Sequence, residues 1–309
     1  MKSLYIAGHG GLVGSALARH FSGRPGMRMI TAGRSELDLL DARAVEHFLK
    51  RERPEAVVIA AGRVGGIAAN SERPAEFIYE NLMIEINLIH GSWKAGIGRL
   101  LNFGSSCMYP KEASQPMRCE DLQTGKMEPT SEAYATAKWA GLALAQAYRA
   151  QHGVRYVTAI PATVYGPGDN FDPKEGHVLS ALIHRFHQAK EQSRSSLTLW
   201  GSGRPRREFL YSDDLADACE LLLERYDAEE PINIGSGQAC SILELAKQVA
   251  RVVGFRGEII WDSSHPDGAP EKCLESSRIR ALGWAPKTGL AAGLEKSYEW
   301  FLSRQGVQV

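Results

Sequence analysis

Tyr134-Ala135-Thr136-Ala137-Lys138 sets a phenol and an ammonium four residues apart inside a strong helical pattern. On an α-helix that spacing puts both groups on one face, about 6 Å apart along the axis. An ammonium beside a phenol favours the phenolate and lowers the phenol's pKa toward the working range, so Tyr134 is suited to donating a proton to a developing alkoxide. Such a pair is common on solvated helix faces. What separates this one from them is a serine-rich turn, Gly104-Ser105-Ser106-Cys107, following a strand pattern that ends at Phe103. That places the turn at the carboxyl edge of a sheet, where open α/β proteins bind ligands.

A second chemical pattern stands near the N-terminus. The apolar run Leu4 to Ala7 leads into Gly8-His9-Gly10-Gly11-Leu12-Val13-Gly14, a GxxGxxG at Gly8, Gly11 and Gly14, and then into a helix pattern. Glycines there permit a tight turn, close approach to a pyrophosphate and close helix packing, while the helix N-terminus favours negative charge. The end of the next strand selects the dinucleotide, because a carboxylate there would bind a free ribose 2′-hydroxyl. The residues are Thr31-Ala32-Gly33-Arg34, with no carboxylate. Arg34 suits the 2′-phosphate of NADP through a charge-assisted fork; the competing arrangement leaves Arg34 solvated and turns Glu36 to the ribose.

These groups need a frame. Leu4 to Ala7, Arg28 to Thr31, Ala56 to Ala60, Leu100 to Phe103 and Tyr156 to Ile160 read as strands, separated by helical patterns at Leu12 to Phe21, Ala42 to Arg53, Ala75 to Ala95 and Glu132 to His152. Continuous apolar strands alternating with helices predict an α/β fold with a doubly wound parallel sheet. After Pro161 the texture changes: Gly166-Pro167-Gly168-Asp169-Asn170, Gly201, Gly203, Pro205 and Pro266-Asp267-Gly268 interrupt shorter elements. We therefore expect a Rossmann domain over residues 1–165, also receiving about 208–232, and a second, smaller α/β substrate domain mostly over 166–309. In the second domain, Ser241-Ile242-Leu243-Glu244 has capping-box spacing before a helix to Val253, a helix pattern runs from His177 to Lys190, and Ser212-Asp213 can cap a helix to Tyr226.

Composition excludes several classes. The 309 residues carry 36 basic and 36 acidic side chains, so no basic excess draws the chain to nucleic acid or to a membrane surface. Hydrophobic residues make up 44% and charged residues 23%, and no apolar run approaches the roughly 20 residues that span a bilayer. The four apolar residues before Gly8 are too few for a signal peptide, which points to the cytosol. Cys107, Cys119, Cys219, Cys240 and Cys273 are odd in number and show no CxxC spacing, so neither a disulfide framework nor a zinc site is indicated.

Taken together, the GxxGxxG, the serine and the YxxxK resemble the extended short-chain dehydrogenase/reductase superfamily. Within it the chain is similar to the GDP-L-fucose synthase family, the GDP-4-keto-6-deoxy-D-mannose 3,5-epimerase/4-reductases. The segments carrying this resemblance are Val64-Gly65-Gly66-Ile67, Gly104-Ser105-Ser106-Cys107-Met108-Tyr109-Pro110, Glu128-Pro129-Thr130, Gly168-Asp169-Asn170-Phe171, Gly176-His177-Val178, Trp200-Gly201-Ser202-Gly203, Arg207-Glu208-Phe209 and Pro266-Asp267-Gly268. They span nearly the whole chain.

The resemblance implies that Ser105 and Tyr134 polarise a C4 carbonyl, that Lys138 binds nicotinamide ribose and tunes the tyrosine, and that Cys107 and His177 exchange protons at C3 and C5. Inverting a carbon beside a ketone requires one group to take a proton and another to return it, with the enolate held by oxyanion donors. Thiol and imidazole, with ordinary pKa values of about 8.5 and 6.5, suit that work. The implied cofactor is NADPH, held by Gly8, Gly11, Leu12, Val13, Gly14, Arg34, Asp41, Lys138 and His177. The implied GDP-sugar contacts are Arg185, Trp200, Arg207 and Lys272, with Asn81 and Asn170 as further polar candidates. Arg204 and Arg206 read better as a solvated basic loop. The implied assembly is a homodimer.

The chain departs from the family pattern in two places. Members often carry arginine or serine where this chain has Gly10, which leaves Arg34 as the main support for NADP. Where the family commonly has Pro-Thr-Asn, this chain has Pro161-Ala162-Thr163, a hydroxyl for an amide that keeps a related nucleotide 4-keto-deoxysugar open as substrate. A dehydratase would carry Asp-Glu after its serine or threonine, against Cys107-Met108 here, and a 4-epimerase would favour an acidic residue near Arg34. A catalytically silent protein of the same fold would not need Tyr134 or Lys138.

Overall fold

A computed structural model describes residues 1–305 apart from Lys174 and Pro266, and for Ile67 the backbone only. The Pro266 position of the Pro-Asp-Gly motif therefore lies outside the described residues. The first half of the chain runs β1 (Ser3–Ala7), α1 (Leu12–Ser22), β2 (Arg28–Ile30), α2 (Ala42–Glu52), β3 (Ala56–Ile59), α3 (Ile67–Glu72), α4 (Pro74–Lys94), β4 (Arg99–Phe103), α5 (Glu132–His152) and β5 (Arg155–Pro161). The second half runs β6 (Thr163–Tyr165), α6 (Val178–Glu191), β7 (Ser196–Trp200), β8 (Arg206–Tyr211), α7 (Ser212–Arg225) and β9 (Ile232–Ile234). It ends with β10 (Ala239–Ser241), α8 (Ile242–Val253), β11 (Glu258–Asp262), β12 (Glu271–Lys272), α9 (Ser277–Ala281) and α10 (Leu290–Arg304).

Six strands form one parallel sheet in the order β2-β1-β3-β4-β5-β9. The strands are apolar without alternation because helices cover both faces, as in β3, where all four residues are buried. One face is closed by α1 and α7 with Leu17, Phe21, Leu215 and Leu222, the other by α2, α4 and α5 with Phe48, Leu88 and Ala145. The doubly wound parallel sheet is as expected. The strand order reverses between β1 and β3, which opens a crevice at their carboxyl ends.

A second apolar cluster, with Phe186, Leu199, Phe209, Leu245 and Phe301, fills the space between α6, α8, α10 and the smaller sheets β10-β8-β12 and β11-β7. The chain crosses between these bodies at β5 to β6 and again through β8, α7 and β9. Element ends shift by a residue from the sequence reading for physical reasons. Arg53 leaves α2 in a left-handed conformation at φ 44°, and Pro74 opens α4, where its missing N–H costs nothing. The expected Ser212 cap is corrected: Tyr211 is the N-cap residue, and Ser212 is already helical with its hydroxyl buried and unpartnered. The capping box at Ser241 and Glu244 forms as read.

Candidate active site

Helix α5 delivers Tyr134 and Lys138 into the crevice because its residues Ala135, Ala137, Gly141 and Leu142 pack it tightly on α4 and the sheet. Lys138 is 4% exposed, and its Nζ lies 2.7 Å from Oε1 of Glu85, a carboxylate on α4 that is 1% exposed. Gly141 makes the pairing sterically possible, since a Cβ there would overlap Oε2 of Glu85. Burial alone would push the lysine pKa down, but the Glu85 charge, the Tyr134 charge and the Glu85 hydrogen bond together outweigh it and hold the ammonium above its ordinary value. Burial pushes the Glu85 carboxyl up while Lys138 pulls it down. The proton stays on lysine, the stronger base by about 6 units in ordinary values.

The sequence led us to expect a lowered phenol pKa, and the structure corrects that. Burial raises the Tyr134 pKa above its ordinary value, although Lys138 and the Ser105 hydroxyl both favour the phenolate; the charges of Cys107 and Glu85 act in the raising direction. A phenol so placed stays protonated at neutral pH, the state a proton donor needs. Phe77 on α4 meets the Tyr134 ring edge to face at 6.4 Å and fixes its tilt.

Ser105 ends the strand β4 turn, and its Oγ accepts the Cys107 N–H at 3.2 Å, winding Ser106–Met108 into one 3₁₀ turn that packs on α5. Cys107 is half-buried and close enough to Tyr134 and Arg207 for a charge on its sulfur to raise the pKa of each. Ser105, Cys107, Tyr134 and Lys138 thus form one cluster. His177 is the N-cap residue of α6, and its Nδ1 lies 3.8 Å from Oδ1 of the buried Asp169 carboxylate. Its loop is tied to the Rossmann side by a Gly66 N–H donated to the Glu175 carbonyl at 3.0 Å and by an Arg73–Glu175 ion pair of 2.8 Å.

The glycine turn has the shape a dinucleotide needs. Gly8 sits at φ +83° with its backbone against Ala61, and a Cβ at Gly14 would overlap the Gly8 carbonyl. Nothing lies within 4 Å of the space a Cβ would take at Gly10, which is open. Helix α1 has Gly11 as its N-cap residue and no side-chain cap, so the N–H groups of Leu12 and Val13 have no intrahelical acceptor. His9 Nδ1 is buried with no hydrogen-bond partner among the described residues. Arg34 is exposed just past β2 with no partner among the described residues, and the competing Glu36 carboxylate accepts the Gly33 N–H at 2.8 Å. Asp41 caps α2, its Oδ1 accepting the Arg43 and Ala44 N–H groups at 2.8 and 3.1 Å.

The sugar-nucleotide candidates are more scattered. Arg207 and Lys272 are cross-strand neighbours on β8 and β12, and the Arg207 guanidinium donates to the Ala269 carbonyl at 2.7 Å. Burial lowers the Arg207 pKa from its ordinary value. Arg185 donates to the Thr198 carbonyl at 2.5 Å, two residues along β7 from Trp200. Trp200 is 67% exposed and stacks on His265 at 4.6 Å. The Trp-Gly-Ser-Gly and Asp267-Gly268 motifs are joined by Ser202, whose N–H and Oγ donate to Asp267 at 2.9 and 2.6 Å. Arg206 pairs with Glu244 and Glu271 at 3.8 and 3.7 Å instead of facing the site.

Two candidates serve the loops. Asn81 is buried with its amide spent on the Arg63 and Phe77 backbone, shaping the turn after β3. Asn170 accepts the Asp172 N–H at 2.9 Å within its own loop. Glu85 was missed in the sequence; its signal is a carboxylate on the buried stripe Phe77, Asn81, Ile84, Leu88 of α4.

This parallel sheet with its glycine turn and Ser/Tyr/Lys cluster defines a nucleotide-binding oxidoreductase or epimerase frame. The chain belongs to the NAD dependent epimerase/dehydratase family, whose model matches residues 4–235. It is 52% identical over 302 residues to GDP-L-fucose synthase of Sinorhizobium fredii, covering 98% of this chain and 96% of that one. It is 45% identical to GDP-L-fucose synthase of Escherichia coli, covering 98% of each chain. Among solved structures, a GDP-6-OMe-4-keto-L-xylo-heptose reductase from C. jejuni superposes with a TM-score of 0.92 at 35% identity over 98% of each chain. An NADP-bound GDP-L-fucose synthetase from Naegleria fowleri superposes with a TM-score of 0.90 at 25% identity over 99% of this chain and 95% of that one. The resemblance read from the motifs is borne out. No helix among the described residues is long and apolar enough to cross a membrane.

Proposed function

We propose that this chain converts GDP-4-keto-6-deoxy-D-mannose to GDP-L-fucose by inverting C3 and C5 and reducing the C4 ketone. The observation that carries this reading is the single cluster of Ser105, Cys107, Tyr134 and Lys138 at the carboxyl edge of the sheet. Bound NADPH supplies the hydride. The residues that would hold it are the glycine turn, the free N–H groups of Leu12 and Val13, Arg34 and Lys138. Ser105 and Tyr134 hold the ketone oxygen, first stabilising enolate charge during inversion and then, through Tyr134, protonating the oxygen as reduction occurs. Cys107 and His177 take and return the protons at C3 and C5. Arg207 and Lys272 meet the diphosphate, and exposed Trp200 offers a ring for the base.

A second reading keeps the chemistry and changes the sugar. Thr163 replaces the amide common in the family, and the C. jejuni neighbour at 35% identity is a reductase of a GDP-linked 4-ketoheptose. Incubation with NADPH and a panel of nucleotide 4-ketosugars, with product stereochemistry read by NMR, separates the two. We expect GDP-L-fucose from the 6-deoxymannose substrate. A product reduced at C4 but not inverted at C3 and C5, or turnover of a heptose alone, overturns the first reading. A cytosolic homodimer belongs to the same proposal; Tyr79 and Ile86, exposed on α4, supply apolar surface for it.

A further inference from the structure

We propose that Glu85 is a positioning residue for the reduction, its buried carboxylate holding the Lys138 ammonium charged and in place behind the Tyr134 phenol. The proposal rests on the reading of Tyr134 as proton donor and Lys138 as its cationic neighbour. Two helices are built around the contact. On α4, Glu85 occupies a position on the buried stripe that would otherwise be apolar, and on α5, Gly141 leaves the space its Oε2 fills, next to the Asn102 amide of β4. Asn102 favours the ionised carboxylate, and Oε1 lies 2.7 Å from Nζ.

Stability does not account for this arrangement. Desolvation of two charges cancels most of their attraction, and an apolar pair of the same volume is usually as stable or more so. What the carboxylate does provide is a protonated lysine in a dry place. A buried ammonium with no counter-charge loses its proton readily, its pKa falling by up to about 3–5 units. Lys138 without its charge would neither attract the ribose hydroxyls as a cation nor favour the phenolate after proton transfer. Glu85 bonds directly to Lys138 and, apart from the small direct effect of its charge on the phenol, acts through that ammonium. The titratable groups acting on the pair are Tyr134 on α5 and, through the phenol, Cys107 on the serine turn; the neutral amides are Asn102 on β4 and Asn81 on α4.

The test is the pH–rate profile of NADPH-dependent reduction in Glu85→Gln and Glu85→Asp. With the amide, either Lys138 or Tyr134 sheds its proton earlier, so the alkaline limb moves to lower pH by about one unit or more. Above the limb that is about tenfold in rate. Glu85→Asp restores part of the shift. A limb that stays in place in Glu85→Gln, with the rate lowered equally at every pH, overturns the proposal. Should Glu85→Gln not fold, the amide pair Glu85→Gln/Lys138→Gln removes both charges together. Its reduction rate is expected to match Lys138→Gln alone, and a further tenfold loss overturns the proposal. An unmoved limb alongside an inactive Tyr134→Phe sinks only the role of Glu85, whereas an active Tyr134→Phe sinks the reading of the phenol itself.

Discussion

The two walls of the crevice are built differently. On the Rossmann wall, Tyr134, Lys138 and Glu85 sit on long helices and are fixed by packing, a 2.7 Å ion pair and a glycine that admits the carboxylate. On the opposite wall, Trp200 is 67% exposed and the Gly201–Gly203 loop is held to Asp267 by the hydrogen bonds of Ser202. Chemistry that moves a proton to a developing charge needs fixed, dry groups, because reorganisation at the moment of reaction would cost rate. Recognition of a nucleotide tolerates exposed groups that adjust to the ligand. On the proposed reading, protonation of the ketone oxygen belongs to the Rossmann wall, whereas the opposite wall carries the sugar-nucleotide contacts and lends only His177 to proton exchange.

Variants on each wall sharpen or break that contrast. The largest effect is expected from Cys107→Ser: deuterium exchange at C3 and C5 slows by about 10² or more, while some direct reduction remains. Exchange at the wild-type rate would remove Cys107 from the inversion. Gly141→Ala comes next, since its Cβ would overlap Glu85 Oε2; unfolding by denaturant should show a loss of about 1–3 kcal/mol with reduction impaired in parallel. A variant as stable as the parent would show that the α4–α5 contact is looser than described. Arg34→Ala tests the cofactor edge: loss of a charge-assisted fork on the 2′-phosphate should weaken NADPH binding about tenfold or more and leave NADH nearly unchanged. Equal losses for both would place Arg34 away from that phosphate. Smallest in stability terms is Trp200→Ala, expected within about 0.5 kcal/mol of the parent because the ring is exposed, with KM raised and kcat kept. A fall in kcat alone would contradict the division between the walls.

Local pattern carried much of this. Helix α5 runs Glu132–His152, the bounds its apolar spacing predicts, because one face is alanine-, glycine- and leucine-rich from end to end. The glycine turn was readable too, since each glycine answers a steric demand made within the same strand–turn–helix unit. Pairings between distant segments were not. Glu85 and Lys138 lie 53 residues apart, and Ser202 and Asp267 lie 65 apart, so only the fold brings them together. The direction of the Tyr134 shift was misjudged for the same reason: the spacing to Lys138 is local, whereas the burial that outweighs it is supplied by α4 and the serine turn. Ser212 looked like a cap by type alone, yet β8 continues straight into α7 and makes Tyr211 the boundary.

In the proposed mechanism the Tyr134 phenol protonates the ketone oxygen as reduction proceeds. The most direct test is Tyr134→Phe, with NADPH oxidation and solvent deuterium uptake at C3 and C5 followed in the same single-turnover reaction. NADPH oxidation should slow by about 10² or more, with deuterium uptake still catalysed. Oxidation at the parent rate would contradict that role of the phenol.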